Sequence, residues 1–178
     1  MAEPSAFRVS SRPGEPDALT LSHERFPFAG RFGRRRTGTA LLEVADEPVA
    51  AVAFSPDRAD AKRYRVRYWA VRRDRQGEGL GRTLIDAFAG WALGGPAAEV
   101  AVGAESPHAA VALDREGYGP TDERGPRGEV VFVKPAPDAG PGLETALEAL
   151  LELPLTDSQR RYIRERRSAG RPPTDGTD

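Results

Sequence analysis

The sequence predicts one α/β (α+β) domain that is followed by a helical C-terminal extension, and three local patterns carry this prediction. The first is an apolar strand, a glycine-rich loop and an amphipathic helix in direct succession. The second is a later strand and helix, and the third is a stripe of leucines near the C-terminus. A chain of 178 residues is long enough to bury a hydrophobic core.

The first pattern begins at residues 64–71, where aromatic and β-branched side chains predict a strand. A helix is expected to follow and to end at Gly94-Gly95-Pro96. Its apolar face is formed by five residues at helical spacing: Leu80, Leu84, Ile85, Phe88 and Trp91. The loop between strand and helix contains Gly77, Gly79 and Gly81. Because glycine has no Cβ and the first N–H groups of a helix are unpaired, this loop is expected to bind phosphate.

The spacing of these glycines excludes two common phosphate-binding motifs. G-x-x-x-x-G-K-[ST] does not occur, and the chain contains only two lysines, Lys62 and Lys134. In a G-x-G-x-x-G fingerprint, the third glycine would fall on Arg82 or on Leu84. The run that remains is Gln76-Gly77-Glu78-Gly79-Leu80-Gly81. It resembles the Q/R-x-x-G-x-G/A acyl-CoA loop of the GCN5-related N-acetyltransferases (GNAT), and the preceding Trp69-Ala70-Val71 resembles that family's fourth strand.

A second region carries the same resemblance. Residues 98–102 are predicted to form a fifth strand, and Ser106 and Pro107 are expected to be the N-cap and first residue of a helix. Glu116-Gly117-Tyr118 then resembles the family's closing Gly-Tyr element. The resemblance covers about residues 37–134 and implies a GNAT-like mixed, mostly antiparallel central sheet flanked by helices.

The resemblance also implies a function, in which an amine attacks the thioester of acetyl-CoA directly and no metal takes part. It implies that the cofactor is bound by Trp69, Ala70, Val71, Gln76, Gly77, Glu78, Gly79, Leu80, Gly81 and Arg82. Nine basic and three acidic residues between positions 58 and 82 agree with an anionic cofactor, although strand arginines could equally face water. Glu78 is an exception, because its carboxylate must point away from the phosphates.

The residues that would handle protons are harder to assign. The family commonly uses a tyrosine seven residues after an asparagine, and these positions are Leu113 and Ser106 here. A glutamate that some members carry on strand 5 aligns with Ala101. Glu105, His108 and Tyr68 are substitutes, each of which also has an ordinary structural interpretation. His23 has no partner that can be named from the sequence and is expected in a loop. We therefore assign no catalytic residue.

Other elements follow from local patterns. Residues 7–9 are a short first strand, and residues 39–45 and 49–54 are predicted to form a hairpin around Asp46-Glu47-Pro48. Residues 129–134 are a late strand. Residues 19–32 are ambiguous, because Pro27 and Gly30 interrupt them. The predicted organisation is a GNAT-like domain over residues 1–134, a linker at 135–142, a helical extension at 143–168 and a disordered tail at 169–178.

The extension is predicted to contain two helices. One apolar face is formed by Leu143, Leu147, Leu150 and Leu151, and Pro154 is expected to end this helix. Thr156 and Gln159 form a capping-box pair that opens a second helix to about Arg167. The leucine face must be buried, either on the chain's own sheet or on a second protomer, so a homodimer is allowed. The arginines of the second helix are interpreted as a solvated face, with RNA or an acidic partner as the alternative.

Composition limits the functional classes. A formal net charge of −1 gives no general attraction to nucleic acid or membranes, and the absence of cysteine excludes disulfides. Residues 1–16 lack the pattern of a signal peptide, so a cytoplasmic protein is expected. Two functions remain: an acyl-CoA-dependent N-acetyltransferase, or an acyl-CoA-binding regulatory or interaction module without turnover. RNA binding is a third and more distant hypothesis. The amine acceptor cannot be identified from the sequence.

Overall fold

A computed structural model describes residues 5–16 and 19–170 of the chain, which folds as two compact units, one up to Val102 and one from Gly103. The first unit contains β1 (Ser5–Ser11), β2 (Gly38–Val44), β3 (Glu47–Pro56), β4 (Arg63–Val71), α1 (Leu80–Leu93) and the start of β5 (Glu99–Ala104). The second contains α2 (Pro107–Arg115), β6 (Gly119–Arg124), β7 (Val130–Lys134), α3 (Leu143–Leu150) and α4 (Asp157–Gly170). None of the helices described is long and apolar enough to cross a membrane.

Strand pairing in each unit confirms the predicted mixed, mostly antiparallel α/β architecture. In the first unit β1, β2, β3 and β4 are neighbours in that order and all pair antiparallel, whereas β4 and β5 pair in parallel. In the second unit β6 and β7 form an antiparallel pair. The predicted helical extension is present as α3 and α4.

The hairpin of β2 and β3 has a tighter turn than predicted. Ala45 and Asp46 both have positive φ, 51° and 62°, and β3 already begins at Glu47. A two-residue turn with left-handed residues matches the right-handed twist of the paired strands. The prediction of a three-residue turn at 46–48 therefore placed the start of β3 two residues too late.

A bulge in β4 determines which of its side chains point to each face of the sheet. Ala53 is opposite Tyr68, but Phe54 is opposite Val66, so Arg67 is an extra residue in β4. On the carboxyl side of this bulge, Trp69 and Val71 face α1, whereas Tyr68 and Ala70 point to the opposite face. The bulge thus places Trp69 and Val71 on the α1 face, and Tyr68 and Ala70 on the other.

The face opposite α1 is covered by residues 19–32, which we call the covering segment and for which the sequence is ambiguous. It forms turns and one short 3-10 helix (Ala29–Arg31) and contains no α-helix. Its buried side chains are Leu21, Phe26, Ala29 and Phe32, which pack on Leu41, Ala51, Ala53 and Ala70 of the sheet. These buried apolar side chains therefore hold the segment on the sheet.

In the second unit, α2 begins and ends as the sequence predicts. The Ser106 Oγ accepts a hydrogen bond from the Ala109 amide at 3.2 Å, and Pro107 is the first helical residue. At the other end Gly117 has φ 82°, and the amides of Gly117 and Tyr118 donate to the carbonyls of Asp114 and Leu113. This pair of bonds is a Schellman motif, which explains why a glycine precedes the buried Tyr118.

Strand β6 is absent from the sequence-based prediction. It contains Gly119 and Pro120 and then a charged run, so it lacks the apolar alternation that marks a strand. It forms because β7 supplies its hydrogen-bonding partner, with Pro120 opposite Phe132. Strand formation here is thus a tertiary effect.

The helical extension docks within the second unit of its own chain. Helix α3 packs against α2, β6, β7 and α4, and its Ala146, Leu147 and Leu150 are buried. The Thr156 and Gln159 side chains each accept the other's amide, at 3.2 and 2.9 Å, which confirms the capping box. Helix α4 continues to Gly170, three residues beyond the predicted end. Residues 171–178 of the tail lie outside the described residues, and the division of domains at 134 stays a prediction.

Candidate functional site

The predicted phosphate loop, residues 76–82, connects the end of β4 to the start of α1. The chain leaves β4 at Val71, forms a 3-10 turn (Arg73–Arg75), and reaches α1 through two glycines in the left-handed region, Gly77 with φ 86° and Gly79 with φ 80°. Gln76 lies before them, and its side-chain amide donates to the Val71 carbonyl at 3.3 Å. The loop therefore folds back onto the end of the strand.

The three glycines have two different roles. A Cβ on Gly77 or Gly79 would meet no atom within 4 Å, so these two residues are required for conformation and leave open space around the backbone. A Cβ on Gly81 would lie 3.3 Å from Val71 Cγ2 and 3.6 Å from Trp69 Cζ3. Gly81 therefore allows α1 to approach β4 closely.

The amino end of α1 has no cap. Its N-cap residue is Gly79, which has no side chain, and the first turn contains no acidic residue. Among the residues that the structure describes, none accepts a hydrogen bond from the amides of Gly77, Glu78 or Gly79. Unpaired amides at the positive end of a 14-residue helix form a favourable environment for an anion.

The strand beside this loop has an unpaired edge. β5 pairs with β4 only at Arg63, Tyr64 and Arg65. From position 66 to position 71, no other strand of the described chain is paired with β4 on that side. A ligand that carries amide groups could hydrogen-bond to such an edge in the manner of an added strand. The cofactor-binding residues predicted on this strand, Trp69, Ala70 and Val71, all lie in the unpaired stretch.

The arginines of β4 already have partners within the chain, which corrects the simple charge count. Arg63 contacts Glu99 at 2.7 Å, Arg65 contacts Asp57 at 3.0 Å, and both are partly buried. Arg67 donates to the Ser55 hydroxyl at 2.8 Å, and burial lowers the pKa of its guanidinium. The strand arginines are therefore internal partners of carboxylates and hydroxyls, and neither of the two expectations, phosphate ligands or water-facing side chains, describes them.

A second ion network fixes the base of the loop. The buried Arg72 donates to Asp74 at 2.7 Å and to Glu47 at 3.1 Å, and Arg25 donates to the same Glu47 at 3.2 Å. The hydrogen bond from Arg25 is the main reason that the pKa of Glu47 is lowered, and the bond from Arg72 likewise lowers the pKa of Asp74. This network joins the β2–β3 turn, the loop and residue 25.

The substitutes for a catalytic acid or base have separate surroundings. Tyr68 lies under the guanidinium of Arg31, whose Cζ is 5.2 Å from the ring centroid. In the second unit Glu105 is ion-paired with Arg127, and His108 stacks on Tyr162 with 4.3 Å between ring centroids. Leu113 is buried. The Ser106 hydroxyl accepts the Ala109 amide as the cap of α2, and the buried Ala101 has no acidic or basic side chain.

Some contacts could not be predicted from sequence. His23 lies in a turn, as expected, with its ring close to Gly30. The contact of Arg31 with Tyr68 and the link from Arg25 to Glu47 join residues far apart in the chain, and no local spacing indicates them. The one signal present was the frequency of arginine between positions 25 and 36.

Comparison with known proteins agrees with this arrangement. The model of the acetyltransferase (GNAT) family matches residues 5–116. A GNAT family acetyltransferase from Elizabethkingia anophelis, solved with acetyl-CoA bound, has 14% identity, covers 72% of this chain and 96% of its own, and gives a TM-score of 0.55. A candidate N-acetyltransferase from Lactobacillus plantarum has 18% identity, with 73% and 97% coverage and a TM-score of 0.52. No curated protein is significantly similar in sequence.

Three observations thus define the class of protein: a mixed sheet, a glycine loop at an uncapped helix, and a family model that matches residues 5–116. This chain belongs to the GNAT acetyltransferase family. The structural neighbours share too little identity to show more than the fold. The family establishes a transferase that uses an acyl-CoA donor and an acceptor.

Proposed function

We propose that this chain transfers an acyl group, most directly acetyl, from coenzyme A to the nitrogen of an amine. The observation that supports this most is the uncapped amino end of α1, where Gly77 and Gly79 leave open space around unpaired amides. The acetyl-CoA found with the Elizabethkingia anophelis neighbour agrees with this donor. The predicted site residues are proposed to bind the cofactor in two groups.

The first group binds the pyrophosphate. Amides of Gln76, Gly77, Glu78, Gly79, Leu80 and Gly81 would donate to the phosphate oxygens, and the side chain of Arg82 lies in the first turn of the same helix. The second group is Trp69, Ala70 and Val71, whose strand edge would pair with the amides of the pantetheine arm. In this proposal the main phosphate ligands are therefore backbone amides of the loop, and not a dense set of arginine side chains.

The reaction we propose has no covalent enzyme intermediate. The lone pair of a neutral amine attacks the thioester carbonyl carbon, and the carbonyl electrons move to oxygen. When the C–S bond breaks, the amine nitrogen loses a proton to a base or to water, and the thiolate of coenzyme A takes up a proton. The products are an amide and free coenzyme A. Holding both reactants in one place supplies much of the rate increase.

The residues for proton transfer stay unassigned. This favours the alternative function, an acyl-CoA-binding module without turnover. Leu113 and Ser106 occupy the positions where the family commonly has its acid, and the structure gives them packing and capping contacts. A chain that binds acyl-CoA without turning it over is consistent with these two residues. Glu105, His108 and Tyr68 are the groups to test if turnover is observed.

Two measurements distinguish the proposals. Calorimetry with coenzyme A tests the cofactor site, and thiol release from acetyl-CoA with a panel of amines tests transfer. Binding together with amine-dependent thiol release supports the transferase. Binding without release from any amine supports the module, and the absence of both contradicts the assignment of residues 76–82.

A further inference from the structure

A run of arginines at the end of the covering segment and just beyond it has no function in the proposed reaction. Its exposed members Arg31, Arg34, Arg35 and Arg36 lie within six residues, and no carboxylate of residues 5–16 or 19–170 pairs with any of them. Between positions 19 and 37 the only acidic residue is Glu24. We call residues 25–36 the arginine segment. Its net positive charge contrasts with the paired arginines of β4.

Arg31 is held in a defined orientation. Its guanidinium lies over the ring of Tyr68, and its amide donates to the Phe28 carbonyl at 2.8 Å. Stacking on an aromatic face leaves the N–H edge of a guanidinium free to bind a carboxylate or phosphate through two parallel hydrogen bonds. A positioned arginine of this kind loses less side-chain entropy on binding than a fully mobile one.

Phe28, three residues before Arg31 in the same turn, is unusual in two respects. Phe28 has 64% of its surface exposed, the largest exposed hydrophobic side chain described, and its φ of 58° is in the left-handed region. Bulky residues rarely adopt this conformation. An exposed aromatic ring within the same segment is available to the apolar part of a ligand whose anionic group binds to Arg31.

The arginine segment is fixed near the predicted cofactor strand. The amide of Arg73, in the turn that precedes the phosphate loop, donates to the Arg25 carbonyl at 2.8 Å. Tyr68, which lies under Arg31, is three residues before the end of β4, about 10 Å along the strand. A pantetheine arm that runs from the loop along the edge of β4 would therefore pass the backbone of Tyr68, over whose ring the Arg31 guanidinium lies.

From these contacts we infer that the arginine segment recognises an anionic group on the acceptor. The acceptor class is then an amine that also carries a carboxylate or a phosphate, and Arg31 is a specificity-determining residue. This inference rests on the proposed transfer to an amine. It adds to that proposal the chemical class of the acceptor, which the family match does not identify.

The test uses pairs of acceptors that differ only in the anionic group. L-Phenylalanine is compared with L-phenylalaninamide for the carboxylate, and O-phosphoethanolamine with ethanolamine for the phosphate. Thiol release is measured for each with the wild type and with Arg31→Gln. The amide of the amino acid has the larger fraction of neutral amine, so a preference for the acid runs against intrinsic reactivity.

We expect the wild type to prefer the anionic member of at least one pair, and the pair concerned identifies carboxylate or phosphate. Arg31→Gln should raise the KM of that member about tenfold or more, because a charge-assisted hydrogen bond is lost, and should leave kcat/KM of the neutral member unchanged. The matched control is Arg58→Gln. Arg58 is exposed in the turn before β4, at the end of that strand opposite the loop. Its substitution should change neither the KM of the anionic member nor the kcat/KM of the neutral member.

Failure of this inference can be separated from failure of the proposed function. If no amine releases thiol, calorimetry with coenzyme A present still measures how each pair binds to the wild type and to Arg31→Gln. Weaker binding of the anionic member alone to the variant supports the inference, as does the kinetic result. Equal binding of both members, or an equal loss for both in Arg31→Gln, overturns it.

Discussion

The Arg75 Nε donates to both carboxylate oxygens of Glu78, at 2.9 and 2.8 Å. The one acidic residue of the phosphate loop is therefore neutralised by a residue that precedes it by three positions. This pair explains how a carboxylate can lie between two glycines that are proposed to bind phosphate. A single substitution of either residue would therefore change the net charge of the loop.

The first prediction concerns this pair. Glu78→Gln removes the negative charge and leaves Arg75 positive, so the affinity for coenzyme A should rise severalfold at low salt. Arg75→Gln leaves Glu78 as an uncompensated negative charge, and affinity should fall. Calorimetry at two salt concentrations measures both effects. Identical affinities in the two variants would show that the phosphates bind elsewhere.

The second prediction tests the open space at Gly79. Gly79→Asp places a carboxylate where the phosphates are proposed to bind, and we expect affinity for coenzyme A to fall by far more than a surface change would cause. Gly14→Asp is a matched control, because Gly14 also has a positive φ, of 91°, and a Cβ there would likewise meet no atom within 4 Å. Both variants should lose similar stability from backbone strain, about 1 to 2 kcal/mol.

The comparison of the two variants is made by melting temperature and by calorimetry on the same samples. Only Gly79→Asp should lose coenzyme A binding. If both variants bind coenzyme A as the wild type does, residues 76–82 are not its phosphate loop.

The elements that were predicted well are those whose signals are local. The start and end of α1, the Ser106 cap, the Gly117-Tyr118 closure and the Thr156-Gln159 capping box all depend on residues within a few positions of one another. Each involves backbone groups that a nearby side chain or glycine satisfies. Such patterns are readable without knowledge of the tertiary structure.

The features that were missed depend on distant partners. β6 forms through pairing with β7, the bulge at Arg67 is visible only in the register with β3, and Arg31 meets Tyr68 through packing of the covering segment. The charge count around the loop was misleading for the same reason, because Asp57 and Glu99 neutralise arginines of β4. Acidic residues outside the motif decide how much positive charge the motif retains.

The third prediction concerns the pH dependence of stability. Hydrogen bonds from Arg25 and Arg72 hold the pKa of Glu47 below its ordinary value in the folded chain. Its ionised form therefore stabilises the fold above the unfolded pKa, and this contribution is lost as the pH falls through the folded pKa. Glu47→Gln should lower the melting temperature at about pH 7 but have less effect near about pH 3.

The control for this pH series is Glu24→Gln, which removes an exposed carboxylate of the covering segment without a described ion pair. Its effect on the melting temperature should be small at both ends of the series. An equal loss in Glu47→Gln at acidic and neutral pH would mean that Glu47 acts through packing and not through its charge.

The fourth prediction assigns Leu113 to the core. Leu113→Ala should reduce the free energy of unfolding by about 2 to 5 kcal/mol, because the leucine is buried and its removal leaves a cavity. Leu113→Met conserves volume and should cost less than about 1.5 kcal/mol. Turnover per folded molecule should match the wild type in both. Selective loss of turnover in Leu113→Ala, with a normal melting temperature, would give this position a role in the reaction.

The fifth prediction concerns the helical extension, whose docking has two parts. Leu147 of α3 is fully buried, whereas Leu151 at the end of that helix is only partly buried. The Arg160 guanidinium of α4 donates to the carbonyls of Leu151 and Leu153, both at 3.2 Å, and so satisfies groups that the end of α3 leaves unpaired. Ile163 is also fully buried and anchors α4.

From this arrangement we expect Leu147→Ala to reduce the free energy of unfolding by about 2 to 5 kcal/mol and Leu151→Ala to reduce it by less. Deletion of residues 141–178 should lower the melting temperature or cause association, since the faces of α2, β6 and β7 that α3 covers would meet water. Denaturant unfolding and sedimentation measure these effects. If Leu147→Ala and the deletion both leave the melting temperature and the oligomeric state unchanged, α3 is not part of the folded core. An interaction role for the extension then gains support.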